Sequence, residues 1–539
     1  MHLSTSFLLL ALLNSVRGAT VLASAAKPTQ FITLDIVNGP VAPDGFTRIG
    51  VLANGTFPGA PIVATKGQTL VVKVNNKLTD NTMRLSTSIN FDGVFLDSDN
   101  IFNDGTAFVT TCPFGPGESY TYTLPLGNQT GSFWYHSQLG VQYSDGLRGT
   151  LIIYDPDDPL AHLYDIDDAS TVLTLADWLH NTSTSALTSY LATQINPVPD
   201  SGLFNARGRY NGGPEVEYAA VSVSQGKRYR FRLINISVRS NFVVSIDNHT
   251  MTVIEADGIA TEPHEVNILV IHAGQRYSFV TANQAVGNYW INAFINGGTR
   301  NPNLNSTLSR GILRYEGAPD EEPQTPMTAG PTGADAVLLN EWELVPLAPI
   351  PAPEPDFNLT FRTFMPEGVT AWQINNVSYI PPSEPTLVKA LHGETEQMDF
   401  NKTENTFLFP ANKTIQVEFI DPINEGHPFH LHGMNFWVIK SNGSDVIDTV
   451  NPIRRDVSIT GNGTTILRFR TDKPGPWSLK STLAVDNGKL TDPLVLYHFA
   501  VGLGSVIGAG LDKVEKAVHP TKAWEQLCPA YDALPPSEQ

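Results

Sequence analysis

The sequence predicts an all-β protein built of sandwich domains, and three observations support this fold class. Glycine and proline are plentiful, with 43 and 39 residues, which favours many short strands joined by turns. Apolar and polar residues alternate with period two in residues 229–233, 415–419 and 467–470, so we expect one buried and one solvated face in each strand. The chain has 539 residues, enough for three or four domains at roughly 150 residues each.

A short pattern, Gly-x-x-Tyr-x-aromatic, occurs three times, beginning at Gly117, Gly226 and Gly274. Each copy predicts a turn followed by a strand. Two interpretations stay open: a repeated sandwich unit, or independent convergence on the residues that suit strands.

Two stretches indicate domain boundaries. Residues 155–159 consist of aspartate and proline alone, and residues 317–333 are rich in proline, glycine, threonine and acidic residues, a composition that packs poorly. We therefore predict a first domain over 27–157, a second over 158–328, and a third over 329–539 that includes the C-terminal tail.

The overall charge excludes some classes of partner. The formal net charge is −19, and no basic stripe interrupts the acidic composition. Nucleic acids and anionic membranes attract basic surfaces, so we expect neither as a partner.

The N-terminus predicts a signal peptide over residues 1–26. An apolar run from Phe7 to Leu13 is followed by small residues, although the one basic residue, Arg17, lies after the run. Seven apolar residues are too few to span a bilayer, and no other segment reaches about 18. We therefore expect a secreted, extracellular protein without a membrane anchor.

Glycosylation sequons recur along the chain, which predicts a glycoprotein whose sequons mostly lie on surface loops. The candidate sites are Asn54, Asn128, Asn181, Asn235, Asn248, Asn305, Asn358, Asn376, Asn401, Asn412, Asn442 and Asn462.

Cys112 and Cys528 are the two cysteines. In an oxidising compartment we expect them to pair, which would tie the first domain to the C-terminal tail. Two free thiols are the alternative.

The most specific motif is the segment His-Pro-Phe-His-Leu-His-Gly at 427–433. In a strand His430 and His432 point to the same face, and His427 precedes the turn-setting Pro428. Imidazoles placed in this way can bind two adjacent metals, with a third nearby. A buried polar cluster without metal is the alternative interpretation.

This segment resembles the third copper motif of the laccases, within the multicopper oxidase family. Other segments carry the same likeness: residues 86–93 resemble the first motif, 133–149 the second, and 475–477 the entry to the fourth. Trp524, Cys528 and Pro529 match the tail of basidiomycete-type laccases, in which that cysteine pairs with the one at Cys112. The resemblance extends over almost the whole mature chain.

The resemblance implies three cupredoxin-like Greek-key β-sandwich domains. It also implies a type-1 copper in the third domain, which takes electrons from phenols. A trinuclear copper cluster between the first and third domains would reduce O₂ to water.

Residue by residue, the family's copper ligands are only partly present. Five remnant ligands are His136, His427, His430, His432 and, after an apparent insertion around residues 488–496, His498. The other ligand positions hold Asn90, Asp92, Gln138, Lys480, Ser481 and Thr482. The sequence therefore predicts a degenerate copper site.

Two replacements matter most. Ser481 stands where the family has the type-1 cysteine, and a protonated hydroxyl is a poor ligand for a soft metal, so we expect no blue copper. Lys480 would place an ammonium group in the metal pocket. We hypothesise a buried ion pair between Lys480 and Asp92, with drift into an open, hydrated cavity as the alternative.

Two carboxylates have weaker assignments. Asp104 matches a family carboxylate near the O₂ cluster, or it caps a turn. Glu217 matches a family carboxylate that contacts substrate beside the type-1 site, or it is an exposed residue at a strand edge.

Three functions remain in competition. The first is a redox-inactive pseudoenzyme without cofactor, which binds a partner oxidase or phenolic intermediates. The second is altered chemistry at one divalent metal held by His136, His430, His432 and Asp92, which would have to converge because the family assigns them to different coppers. The third is residual laccase-type oxidation of phenols, which requires electron transfer without type-1 copper.

Overall fold

The structure is a computed structural model that describes residues 28–481 and 502–539, except for 194, 196, 282, 299, 327–334, 367–370, 422–425 and 462. Six β-sheets are present in the described chain, two in each of three consecutive stretches. These pairs are called the first, second and third sandwich below. The all-β prediction is therefore confirmed. The predicted signal peptide lies outside the described residues.

The first sandwich has two four-stranded sheets, in the orders β2-β1-β4-β6 and β3-β8-β7-β5. Its strands are β1 (Thr29–Val41), β2 (Arg48–Ala53), β3 (Gly59–Thr65), β4 (Thr69–Asn76), β5 (Ile89–Asp92), β6 (Ser119–Pro125), β7 (Gly131–Ser137) and β8 (Arg148–Tyr154). Gly117 has a positive φ of 82° in the turn before β6. Tyr120 and Tyr122 on β6 are buried and alternate with less buried neighbours, so this copy of the glycine–tyrosine pattern is a turn followed by a strand, as predicted.

The second sandwich has a six-stranded sheet, β10-β9-β12-β17-β14-β15, and a five-stranded sheet, β11-β19-β18-β13-β16. Its strands are β9 (Val172–Trp178), β10 (Ser201–Phe204), β11 (Ala220–Val223), β12 (Arg230–Asn235), β13 (Asn241–Ile246), β14 (Met251–Ala256), β15 (Ile259–Val266), β16 (Leu269–Ile271), β17 (Arg276–Thr281), β18 (Asn288–Asn296) and β19 (Arg310–Tyr315).

The prediction of a solvated face was wrong for β12, where every residue is buried. Arg230 and Arg232 form the polar face of this strand, and both pair with Glu255. Arg232 also pairs with Asp167 at 2.6 Å. The alternation is real, but its polar face meets buried carboxylates instead of water.

The third sandwich has a six-stranded sheet, β21-β20-β23-β28-β25-β26, and a five-stranded sheet, β22-β30-β29-β24-β27. Its strands are β20 (Phe357–Phe364), β21 (Gln373–Ile374), β22 (Thr406–Phe409), β23 (Thr414–Ile420), β24 (Pro428–Leu431), β25 (Phe436–Lys440), β26 (Arg454–Arg455), β27 (Val457–Ile459), β28 (Thr464–Arg470), β29 (Gly475–Ser481) and β30 (Gly504–Ala509). On β23 the buried Ile415, Val417 and Phe419 alternate with half-buried polar residues, as predicted.

Helices are few and short: α1 (Ser183–Thr193), α2 (Thr386–Leu391), α3 (Val514–Ala517), α4 (Lys522–Glu525) and α5 (Leu527–Asp532). Among the described residues, no helix has the length and apolar character needed to cross a membrane.

The C-terminal tail packs back onto the first sandwich. Cys112 and Cys528 form a disulfide across a sequence separation of 416 residues, which confirms the predicted pairing. Near it, the indole Nε1 of Trp524 donates a hydrogen bond to the Thr110 carbonyl at 3.0 Å. This covalent bond and this hydrogen bond therefore hold the C-terminal helices against the first sandwich.

Candidate functional site

Two pairs of antiparallel strands place the predicted site residues. In the third sandwich β24 pairs with β29, so that His430 lies opposite Lys480 and Phe429 lies opposite Ser481. In the first sandwich β5 pairs with β7, and Asn90 lies opposite His136. Directly opposite residues share a face of a sheet. The site therefore combines one strand pair from each of these two sandwiches.

Asp92 lies at the centre of the site. One of its carboxylate oxygens, Oδ1, is 3.2 Å from Nε2 of His430, and the other, Oδ2, is 3.4 Å from Nε2 of His136. Donor atoms of Asp92, His430 and His432 all lie within 4.8 Å of one another, and all three side chains are buried. Groups that the family resemblance assigns to different coppers are thus close together.

All three imidazoles of this cluster are oriented by an oxygen atom at Nδ1. The contacts are His136 Nδ1 with the Ser137 carbonyl at 2.7 Å, His430 Nδ1 with the Asp456 carbonyl at 2.9 Å, and His432 Nδ1 with Oδ1 of Asp104 at 3.1 Å. An acceptor at Nδ1 holds the hydrogen there in the neutral ring, which leaves the lone pair on Nε2.

Asp104 lies beside His432 and directly follows the 3₁₀ helix Ser98–Asn103. Asn90 completes this side of the site. Its amide Nδ2 donates a hydrogen bond to the Asp104 carbonyl at 2.7 Å and lies 3.3 Å from Nδ1 of His432.

Charge compensation shifts the pKa values in this cluster. Burial alone would raise the pKa of Asp92, but the charges of His430 and His136 outweigh it and hold that pKa well below its usual value. Burial opposes a charge on His430, yet Asp92 and Asp456 outweigh burial and raise its pKa to about 10. Asp92 and His430 therefore form a buried anion–cation pair when no metal is bound.

The hypothesis of a direct Asp92–Lys480 ion pair was wrong. Within the described chain, the cationic groups at ion-pair distance from Asp92 are the imidazoles of His136 and His430. The reason is the strand register: Lys480 lies opposite His430, whose ring occupies the position beside the carboxylate. Burial lowers the pKa of Lys480 to about 8, while Asp92 and Asp104 act on it through space in the opposite direction.

His427 has a different environment. Its Nδ1 is 3.4 Å from the hydroxyl oxygen of Ser481, and its ring meets Trp372 edge-on at a centroid distance of 4.3 Å. Burial and the charge of Arg239 lower the pKa of His427 to about 3, so the ring is neutral. Thr482 and His498, and the apparent insertion between them, lie outside the described residues.

The second sandwich also reaches the site, through residues that the sequence analysis missed. Arg276 on β17 binds both carboxylate oxygens of Asp456, at 2.6 and 2.7 Å. Asp456 Oδ1 lies 3.3 Å from Nδ1 of His430. The available signal was the charged run at 454–456, but the same composition is equally typical of an exposed turn.

Glu217 and the replaced position Gln138 differ in exposure. Glu217 is exposed just before β11 and lines an open cleft of about 500 Å³ together with Arg207 and Tyr218. Gln138 is buried directly after β7, and its backbone N–H donates to the Ser88 carbonyl at 2.9 Å.

The candidate glycosylation sites also differ in exposure. The exposed ones are Asn54, Asn128, Asn181, Asn248, Asn358, Asn376, Asn401 and Asn412. Asn305 and Asn442 are half-buried, and Asn462 lies outside the described residues. Asn235 is 0% exposed, and its Nδ2 donates to the carbonyls of Ser240 and Ile271, so the folded chain leaves no room for a glycan there.

Comparison with known families gives a consistent result along the chain. Three family models, each described as multicopper oxidase, match residues 35–158, 169–318 and 379–488. The chain is 42% identical to Laccase-2 of Agaricus bisporus, over 97% of this chain and 98% of that protein. It is 41% identical to Laccase-4 of Trametes villosa, over 94% of each chain.

The chain belongs to the multicopper oxidase family. Within that family it is of the fungal laccase type, as the sequence motifs indicated. The crystal structure of the laccase from Botrytis aclada is 28% identical and superimposes with a TM-score of 0.80 over 95% of this chain and 93% of that one. The predicted architecture of three cupredoxin-like sandwiches is therefore confirmed.

Proposed function

We propose that this laccase-type protein is secreted and carries no blue copper, and that it acts as a redox-inactive binding or partner protein for an oxidase or for phenolic intermediates. The observation that carries the proposal is the pair His427 and Ser481. Their contact at 3.4 Å joins an imidazole to a hydroxyl at the position where the family has a cysteine.

A type-1 copper does not fit these residues. Such a copper depends on a bond to a cysteine thiolate, which supplies both its blue colour and its electron path. The chain has 2 cysteines, Cys112 and Cys528, and both are consumed in one disulfide. No thiolate is therefore available from any part of the chain, and we derive no electron-transfer step.

The O₂-reducing cluster is also poorly matched. Asp92 is already compensated by His136 and His430, and Asn90 is committed to hydrogen bonding with the Asp104 backbone. Lys480 adds positive charge opposite His430. Three further cations would have to displace this compensated set, and copper in a trinuclear arrangement does not fit it.

The remaining surface supports a role in binding. The cleft beside Glu217 is open to solvent and offers a carboxylate and the guanidinium of Arg207, with the buried Tyr218 forming part of its wall. Charged hydrogen-bonding groups in an open cleft can bind the hydroxyl group of a small phenol. The disulfide-braced fold can thus serve binding without serving oxidation.

The test is to secrete the full chain in copper-replete medium beside Laccase-2 of Agaricus bisporus. Copper content by mass spectrometry, the visible spectrum and turnover of 2,6-dimethoxyphenol are measured for both. We expect substoichiometric copper, no blue band and no turnover. A blue band accompanied by turnover would overturn the proposal.

The binding role needs its own measurement. Fluorescence titration with 2,6-dimethoxyphenol is expected to show saturable binding that Glu217→Gln weakens, and sedimentation with the active laccase tests for a complex. If the phenol does not bind and no complex forms, the binding role is wrong even where copper is absent.

A further inference from the structure

The centre of the site holds several polar atoms that are buried but have no hydrogen bond within the described part of the chain. They are Nε2 of His136, His430 and His432, and Oδ1 of Asp92. Oδ1 of Asp92 and Nε2 of His430 are 3.2 Å apart, which is within ion-pair distance, but the angles at these two atoms do not meet the geometry of a hydrogen bond. Buried polar atoms without partners are costly, so their gathering at one place requires an explanation.

We propose that Asp92, His430 and His432 hold a single divalent ion of the zinc class. One Zn²⁺, bound after the cationic His430 releases its Nε2 proton, would satisfy the unpartnered atoms of these three side chains at once. This site is mononuclear and includes an aspartate, so it differs in ligands and in metal number from the copper cluster of laccases. It goes beyond the proposed function and does not depend on it.

The distances fit one ion. Ligand atoms bound tetrahedrally at 2.0–2.2 Å are separated by about 3.3 Å. The contact between Oδ1 of Asp92 and Nε2 of His430, at 3.2 Å, matches this spacing. His136 instead contacts the other oxygen of Asp92, Oδ2, at 3.4 Å. The donor of His432 lies within 4.8 Å of the donors of Asp92 and His430, so these three side chains form the group, and the His432 ring approaches when the metal binds.

The surroundings are those of a metal site. The rings of His430 and His432 are both held at Nδ1 by an oxygen, which leaves Nε2 as the metal-binding atom. The carboxylates of Asp456 and Asp104 also lie behind His430 and His432, at 3.3 and 3.1 Å. Arg276 fixes Asp456 from the second sandwich. Such carboxylate–histidine contacts orient ligands and strengthen metal binding.

The metal would join two parts of the molecule. Asp92 belongs to β5 of the first sandwich, whereas His430 belongs to β24 of the third and His432 directly follows that strand. An ion that binds the folded protein but not the unfolded chain raises the apparent stability. The proposal therefore has a thermal readout that needs no enzymatic activity.

Lys480 opposes the metal. Its ammonium acts electrostatically on Asp92 and Asp104, and it lies opposite His430 on β29. Removing this charge while keeping the length of the side chain should favour a cation. Lys480→Met is therefore expected to bind Zn²⁺ more tightly than the wild type.

The experiment uses the full secreted chain, stripped with a chelator and titrated with Zn²⁺ by calorimetry. We expect one equivalent to bind and to raise Tm, and Co²⁺ to give the intense visible spectrum of a tetrahedral ion. Asp92→Asn should weaken binding by roughly tenfold or more. His249→Gln is the matched control, because His249 is also buried but bonds Tyr315 in the second sandwich.

Three results would overturn the proposal: no stoichiometric Zn²⁺ bound by the wild type, equal binding by Asp92→Asn, or a Lys480→Met affinity that is unchanged or lower. Lys480→Met decides the question if Asp92→Asn fails to fold. A blue band with phenol turnover would instead remove the proposed function, so the two failures are distinguishable.

Discussion

Nε2 of His430 lies 3.2 Å from Oδ1 of Asp92 across the boundary between the third and first sandwiches. On the other side of the same ring, Nδ1 lies 3.3 Å from Asp456, which Arg276 of the second sandwich binds with both terminal nitrogens. One line of alternating charges therefore connects all three sandwiches through the site.

The first prediction concerns this line of charges. Asp92→Asn keeps the shape of the side chain but removes the anion that balances His430. Because the pair is buried, we expect a loss of about 3–5 kcal/mol in the free energy of unfolding, measured in urea in the presence of a chelator.

A double-mutant cycle supplies the control. His430→Gln removes the partner charge, so adding Asp92→Asn to it should cost much less than Asp92→Asn costs alone. Strict additivity of the two losses would mean that the Asp92–His430 pair contributes no coupling energy.

The second prediction restores a thiolate. Ser481→Cys places sulfur beside Nδ1 of His427, where the hydroxyl now lies at 3.4 Å. We expect titration with Cu²⁺ to produce a visible sulfur-to-copper absorption band that the wild type lacks. Ser478→Cys, on the same strand, is the matched control and should give no band. If the wild type itself showed the band, our interpretation of Ser481 would fail.

The third prediction concerns acid stability. Burial, assisted by the charge of Arg455, lowers the pKa of His272 to about 4. An unfolded histidine titrates near 6.5, so the stability from a neutral His272 is complete above about pH 6.5 and is lost as the pH falls towards 4. The loss attributable to this residue is at most roughly 3 kcal/mol.

His272→Gln isolates the effect. The variant should lose less stability than the wild type between pH 6.5 and 4, and the two should run parallel above pH 7. Urea midpoints across this range measure the difference. Parallel curves through the acid range would show that His272 does not titrate as expected.

The fourth prediction concerns the disulfide. Replacing both Cys112 and Cys528 by serine frees the tail from the first sandwich, and we expect a loss of about 2–5 kcal/mol. Unfolding in urea measures the loss, and limited proteolysis should cut first in the released tail. The wild type under reducing conditions should match the double variant. Equal stability of oxidised and reduced wild type would contradict the prediction.

The sequence predicted much of the fold because strand alternation and turn residues are local signals. It was less accurate where burial depends on distant partners. Arg230 and Arg232 were expected to face water, but both are buried and form ion pairs with carboxylates from other parts of the chain. At the site, the strand motifs singled out Asp92 and His430, whose side chains lie 3.2 Å apart in the structure. The partner of Asp92 depended on the β24–β29 register, which motif spacing does not encode.

The fifth prediction separates sequons by burial, and it tests secretion and glycosylation together. Asn235 is buried and its amide nitrogen already donates two hydrogen bonds, at 2.9 and 3.0 Å, whereas Asn181 is exposed just before α1. A glycan requires an asparagine amide that reaches solvent. In protein secreted by a fungal host, peptide mass spectrometry should therefore find glycan at Asn181 and none at Asn235.

Two variants check this assignment. Asn181→Gln should remove one glycan mass without changing Tm, while Asn235→Gln should lower Tm because the buried hydrogen bonds are disrupted. Modification of Asn235 in folded protein would contradict the burial of this strand end, and a complete lack of glycan would contradict the secretory route.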